Sequence, residues 1–149
     1  MRKKIICFVL VFLSLAPNVV FATNWVYVER YSDPIDRRVQ IFGTPFTEFV
    51  DADNVYKDGN SLFFWEKEVY DKLMRSTKIR FVKWEVNQSN QNYRVVEYQD
   101  LDSSNHEIIT NNAPSEWGKI LSREPINNRI EIALKYVKKG KDPGMKPTP

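Results

Sequence analysis

Residues 49–69 read FVDADNVYKDGNSLFFWEKEV, from Phe49 to Val69. Two apolar runs flank Lys57-Asp58-Gly59-Asn60. Asp-Gly between such runs is a strong hairpin signal, because glycine reaches the positive φ that a tight turn requires. The spacing predicts strands over 47–55 and 61–69. The second run, Leu62 to Trp65, is too aromatic to stand in water, so a core must form on it. This hairpin sets the fold class, and the rest of the chain is read outward from it.

On its N-terminal side, residues 24–31 have the β-branched and aromatic content of a strand. Asp33-Pro34 breaks it, and residues 38–42 read as a short second strand ended by Gly43-Thr44-Pro45. On the C-terminal side, residues 70–76 fit a loop or one helical turn. Residues 78–87 place Val82, Trp84 and Val86 on one face and tip Arg80, Lys83 and Glu85 toward solvent or the rim. That is the alternation of a half-buried antiparallel strand. Further strands are expected over 93–101 and 106–110, joined by the polar turns at 89–92 and 102–105. Residues 113–117 read as a turn that plants Trp117 in the core.

The period then changes. Ile126, Ile130, Ala133, Leu134 and Val137 recur at helical spacing. Ser122 suits a cap, Pro125 the first turn and Gly140 the stop, which predicts one amphipathic helix over 124–139. The expected fold is therefore α+β and mainly antiparallel β. It is a meander of about six strands with the C-terminal helix packed on it. Residues 23–139 form one domain, and 140–149, with three prolines and two glycines, read as a disordered tail.

Arg2, Lys3 and Lys4, an apolar run from Ile5 to Ala16 and the small residue Ala22 have the order of a secretory signal peptide over 1–22. The run is short of the ~20 apolar residues a membrane span needs. The expected address is extracytoplasmic: secreted, cell surface or periplasm. No transmembrane segment is expected in the mature chain. The whole chain is formally +3, from 22 bases and 19 acids, and losing those three leader bases leaves 19 of each. The mature protein is then neutral, which argues against nucleic acid as a partner. The charge is uneven, with Lys135, Lys138, Lys139, Lys141 and Lys146 crowding the C-terminal end against Asp142. The one cysteine, Cys7, leaves with the leader, so no disulfide is expected.

Chemistry-bearing residues are sparse. A small hydrolase of the ribonuclease kind would pair the one histidine, His106, with Glu97 or Glu107. Asp51-x-Asp53 invites a calcium loop, but Val55 and Tyr56 stand where such a loop needs oxygen ligand and glycine, so these carboxylates are read as capping a turn or meeting a nearby base. No metal, cofactor or catalytic residue is expected. Phe81, Trp84 and Tyr93, interleaved with bases, are read as core aromatics. The candidate binding residues are Arg80, Lys83 and Arg94 on the central strands. Lys135, Lys138 and Lys139 at the C-terminal end are the second choice.

The order of several segments resembles the bacterial surface-adhesin protein E family. They are Trp25-Val26-Tyr27-Val28, Phe49-Val50-Asp51-Ala52-Asp53-Asn54-Val55 with Gly59-Asn60, and Leu62-Phe63-Phe64-Trp65-Glu66-Lys67. Val82-Lys83-Trp84-Glu85-Val86, Val96-Glu97-Tyr98, Trp117-Gly118-Lys119-Ile120 and Tyr136 continue the match in order. The resemblance implies a secreted, non-enzymatic binding domain that attaches to host extracellular proteins or envelope partners, with homodimers possible. A periplasmic structural or assembly role is the alternative. Relatives often join helix to sheet with a cysteine pair; here those places read Asn87-Gln88 and Ala133-Leu134. Apolar packing is expected to hold the helix instead. Leu121 stands where relatives have a proline, and Pro125 comes later.

Overall fold

The structure is a computed structural model that describes residues 23–122, 124–139 and 146–149. The expected leader lies outside the described residues. Among the described residues nine strands form one sheet, with the antiparallel path β1 (Trp25–Tyr31), β2 (Phe46–Asp51), β4 (Ser61–Met74), β5 (Thr77–Asn87), β6 (Asn92–Leu101), β7 (Glu107–Asn111). The short β3 (Tyr56–Asp58) pairs with the start of β4, and β8 (Gly118–Lys119) pairs with β6. Helix α1 (Arg37–Phe42) precedes β2, and α2 (Ile126–Lys135) leads into β9 (Lys138–Lys139), which joins β3 in parallel. The mainly antiparallel sheet with a C-terminal helix on it is the fold class read from the sequence.

β4 is the spine. Asp58 pairs with Ser61 around Gly59, whose φ of +58° only glycine takes without strain. The hairpin therefore forms where expected, but its first strand is divided. Asp51 ends β2 because its carboxylate accepts from Asp53 N at 2.9 Å and Asn54 Nδ2 at 2.6 Å, folding the chain into a turn before β3. Beyond Val69 the chain neither loops nor coils. β4 runs on to Met74, since Tyr70 is fully buried against Tyr31, Val39 and Phe46. Arg75 then takes a φ of +60° so that Met74 can face Thr77.

Residues 38–42 form a helix rather than a strand. Asp36 caps it by accepting from Arg38 N at 2.8 Å, and Gly43 closes it at φ +71°. Gly43→Ala is expected to cost about 1 kcal/mol through backbone strain alone, because an added Cβ would meet nothing. A chemical-denaturation midpoint checks this. Helix α2 is shorter than its apolar period suggests, since Tyr136 N turns back to Ala133 O and Lys138 N bonds Val55 O at 2.9 Å. The first helical turn lacks a side-chain cap, so Ser122 does not serve as one. The buried face is Ile126, Arg129 and Ala133, whereas Leu134 and Val137 are exposed. Trp117 is also exposed, lying beneath the Arg94 guanidinium 4.5 Å from its ring centre.

Both faces of the sheet carry core residues. Under α2 lie Val50, Val55, Leu62, Phe64 and Val86; under α1, Tyr31, Phe46 and Tyr70. The opposite face buries Trp65, Phe81 and Leu101, with Trp25 stacked on Phe81 at 5.5 Å. Trp25 and Phe81 are three strands apart, about 14 Å in a flat sheet, so the sheet curls toward that face. Residues 146–149, the described end of the segment read as a tail, lie against the sheet. Pro147 is buried, and Lys146 reaches Glu97 at 2.8 Å.

Candidate functional site

A row of charged residues crosses the face that carries the helices. Register pairs Glu29 with Glu48, Glu48 with Glu68, Glu68 with Arg80 and Arg80 with Asp100, one from each of five strands. A bulge at Val28 turns Glu29 onto this face. Glu66, two residues before Glu68, projects to the same side. Arg38 from α1 and Arg129 from α2 come down on the acidic end.

Glu48 Oε1 accepts from Arg38 Nη1 at 2.7 Å and from Arg129 Nη2. Arg129 Nε lies 2.8 Å from Glu66 Oε1, and Trp84 Nε1 donates to Glu66 Oε2 at 2.5 Å. Tyr70 OH donates to Glu68 Oε2. Arg80 grips Asp100 with two bonds of 2.7 Å. Glu48 and Glu66 are fully buried, and Arg129 is only 6% exposed. With Glu29, which meets only the neutral Tyr31 hydroxyl and Asn128 amide, five carboxylates face Arg38, Arg80 and Arg129 in this network, which leaves it formally two positive charges short among the described residues.

Burial pushes the Glu66 carboxyl well above its ordinary value of 4.5; Arg129 opposes the shift, while Glu48 and Glu68 add to it. Burial also raises Glu68, against the Tyr70 hydroxyl and Arg129. A carboxyl raised in the folded state stabilises the fold fully below its unfolded value and loses that contribution as pH rises through its folded value. Asp71, Asp102 and Glu107 are lowered, Asp71 by Arg30, Asp102 by backbone N–H groups and Glu107 by side-chain hydrogen bonds. Their contribution is instead lost as pH falls through their folded values. The melting temperature is therefore expected to be higher at about pH 5.5 than at about pH 8, and to fall again in stronger acid. A monotonic rise from pH 5 to 8 in a melting series would count against the cluster.

Carboxylate oxygens of Glu48, Glu66 and Glu68 approach within 4.8 Å of one another, a spacing that can gather a metal ion. The cation in their midst is Arg129. A hard divalent ion wants several free oxygens, and Glu48 Oε1 already serves two guanidiniums. The arrangement does not fit a metal. Its evident work is mechanical, tying α2 and α1 to the sheet.

The β5–β6 half of this face is left open, because α2 packs over β1 and β2. There a cleft of about 400 Å³ is lined by Glu68, Arg80, Val82, Trp84, Val95 and Tyr98. A second hollow of about 290 Å³ shares Glu68 and Trp84 and runs to Arg38, Tyr93, Pro125 and Arg129. Together they make a groove from the Arg129 cluster to the outer strands.

No family model, curated protein or solved structure matches the chain.

The candidate bases do not form a patch. Arg80 lines the cleft and is held by Asp100. Lys83, one strand position out of phase, faces the other side, 9% exposed, with its ammonium 5.6 Å from the Trp65 ring centre. Arg94 shares that side and pairs with Glu85, Nε to Oε2 at 2.8 Å. The outward bases read from alternation are thus divided between two faces, and Arg80 and Arg94 each meet an acid across a strand pair. Lys135 approaches Glu131 at 3.3 Å, and Lys138 Nζ donates to Asp53 O at 2.5 Å. Lys139 pairs with Lys57 in the parallel ladder of β9 with β3.

His106 does not meet its expected glutamates. It stands in an exposed turn 3.6 Å from Asp102, while Glu97 pairs with Lys146 and Glu107 accepts from Gln99. The residues missed in the sequence are Glu48, Glu66, Glu68 and Arg129. Their signal was there: charges at positions whose period points into the core.

Proposed function

We propose that the chain is an extracytoplasmic, non-enzymatic binding domain of the adhesin E kind. It engages an extracellular protein through the uncovered half of its sheet. The observation that carries this reading is the cleft beside β5 and β6. Val82, Val95, Trp84 and Tyr98 give it apolar and aromatic walls in a concave site, the surroundings in which partner side chains bury best. Its two charged groups are already engaged, Glu68 by Tyr70 and Arg80 by Asp100. They orient a guest rather than react with it. The resemblance in residue order supports the same class of role.

A hydrolase centred on His106 draws no support from the geometry just described. A structural or assembly role in the periplasm would use the same cleft on an envelope partner. Both open edges of the sheet path, β1 and β7, carry a bulge, at Val28 and Ile108. Bulges discourage edge-to-edge pairing. A homodimer would therefore be built on side-chain surfaces rather than on joined strands.

Two arms test the reading: protease accessibility on intact against lysed producing cells, and retention of the purified protein on immobilised extracellular-matrix proteins. Digestion on intact cells together with retention is the expected result. Protection until lysis would remove the host-binding role and leave the envelope partner.

A further inference from the structure

The face opposite the helices holds a second feature, independent of the cleft. Lys146 Nζ meets Glu97 Oε1 at 2.8 Å, Pro147 is buried, and the carbonyl oxygen of Thr148 accepts from Trp25 Nε1 at 3.3 Å. Thr148 also touches the Thr23 hydroxyl through its own hydroxyl at 3.2 Å and its N–H at 3.4 Å. Glu97 belongs to β6 and Trp25 to β1, so the segment bridges the two flanks of the curled sheet. The Trp25 ring is itself fixed, stacked on Phe81 with the Lys67 ammonium 4.4 Å from its centre.

These three contacts read three properties of an extended segment. A carboxylate takes a lysine, a buried position takes a proline, and an indole N–H takes the carbonyl of the next residue. Aromatic grooves that recognise proline-rich segments work in this way. Proline fixes φ near −65° beforehand, so little order is lost on docking, and the carbonyls stay free to accept. Trp25 is suited to the task because its apolar ring is packed while its N–H points outward.

We propose that Trp25 and Glu97 form a docking groove for an extended lysine–proline segment of a partner polypeptide, and that residues 146–149 fill it in cis. The bonds at the Thr148 end are long, between 3.2 and 3.4 Å, and the ion pair is partly exposed. The intrinsic affinity is therefore weak. Filling in cis still succeeds, because a short link gives an effective concentration of about millimolar. A partner segment displaces residues 146–149 when it binds better than they do or is itself held nearby.

The test uses full-length protein and an acetylated, amidated peptide of sequence Met-Lys-Pro-Thr-Pro as probe. The Trp25 indole N–H signal, assigned with Trp25→Phe, reports occupancy by NMR. In the double variant Lys146→Glu/Pro147→Gly that signal is expected to move and to return on adding peptide. The peptide should bind this variant at least about tenfold more tightly than wild type, the margin expected once the competing segment is removed. Glu97→Gln, which releases the segment from the other side, should move the indole signal as well and weaken the peptide. A peptide with glutamate for lysine should bind Glu97→Lys and not the wild type. An indole signal that is the same in wild type and both tail-releasing proteins would overturn the proposal. So would a double variant that remains folded by melting and ignores the peptide.

Discussion

Arg129→Met is expected to cost about 3–5 kcal/mol of folding stability, the scale for breaking a buried ion pair by removing one partner. The cost comes less from lost attraction than from what remains. Glu48 and Glu66 are fully buried, and without the guanidinium they keep, among the described residues, Arg38 and the Trp84 N–H as donors. A domain of this size has about 5–15 kcal/mol to lose, so the variant should melt about 10–25 °C below the wild type and recover part of the loss in mild acid, where a proton replaces the lost cation. Adding Glu48→Gln and Glu66→Gln should recover part of the loss, because neutral amides do not need the charge. Denaturant midpoints at two pH values measure all of this. A loss under about 1 kcal/mol for Arg129→Met would show that α2 is held by apolar contacts alone.

Trp65→Ala is expected to cost a further about 3–5 kcal/mol by opening a cavity in the face opposite the helices. Trp65 is 1% exposed and packs with Phe81 and Leu101. Trp65→Phe should cost much less than the alanine change. Its indole N–H has no hydrogen-bond partner among the described residues, so the smaller ring gives up volume but no polar contact there. If the two substitutions proved equally damaging, the indole N–H would have to be engaged. If both were mild, this face would not be core.

The fold was legible where local chemistry decides it. Asp58-Gly59 announces its turn, and the alternation around Val82, Trp84 and Val86 announces β5. Misreadings arise where a contact distant in sequence overrules a local preference. Residues 38–42 carry β-branched and aromatic side chains, yet Asp36 and Gly43 cap them as a helix so that Val39 and Phe42 cover Phe46 and Tyr70. Residues 70–76 look like a turn until Tyr31 and Phe46 are brought against Tyr70 across two strands.

The site was less legible, because it depends on strand register. Arg94 opposite Glu85 could be counted out from the 87–92 turn, but Arg80 opposite Asp100 requires the bulge near Lys83 to be known. The sharper clue lies in the helix. Arg129 sits between Ile126 and Ala133 on the buried stripe, where a charge demands a buried counter-charge. Glu48 between Phe46 and Val50, and Glu66 and Glu68 between Phe64 and Tyr70, supply it. Helix α2 is thus held to the sheet by ionic contacts as well as apolar ones.

The most direct measurement of the binding role compares affinities for whichever immobilised matrix protein retains the wild type. Tyr98→Ala and Val95→Asp alter the cleft without touching the Arg129 cluster; Lys135→Glu with Lys138→Glu reverses the basic end. The expected result is a loss of at least about tenfold for each cleft variant at unchanged melting temperature, the effect of removing a central contact. The lysine reversal should stay within about twofold, as exposed rim charges do. Intact binding by both cleft variants, with loss on lysine reversal, would contradict the cleft and move the binding surface to the C-terminal bases.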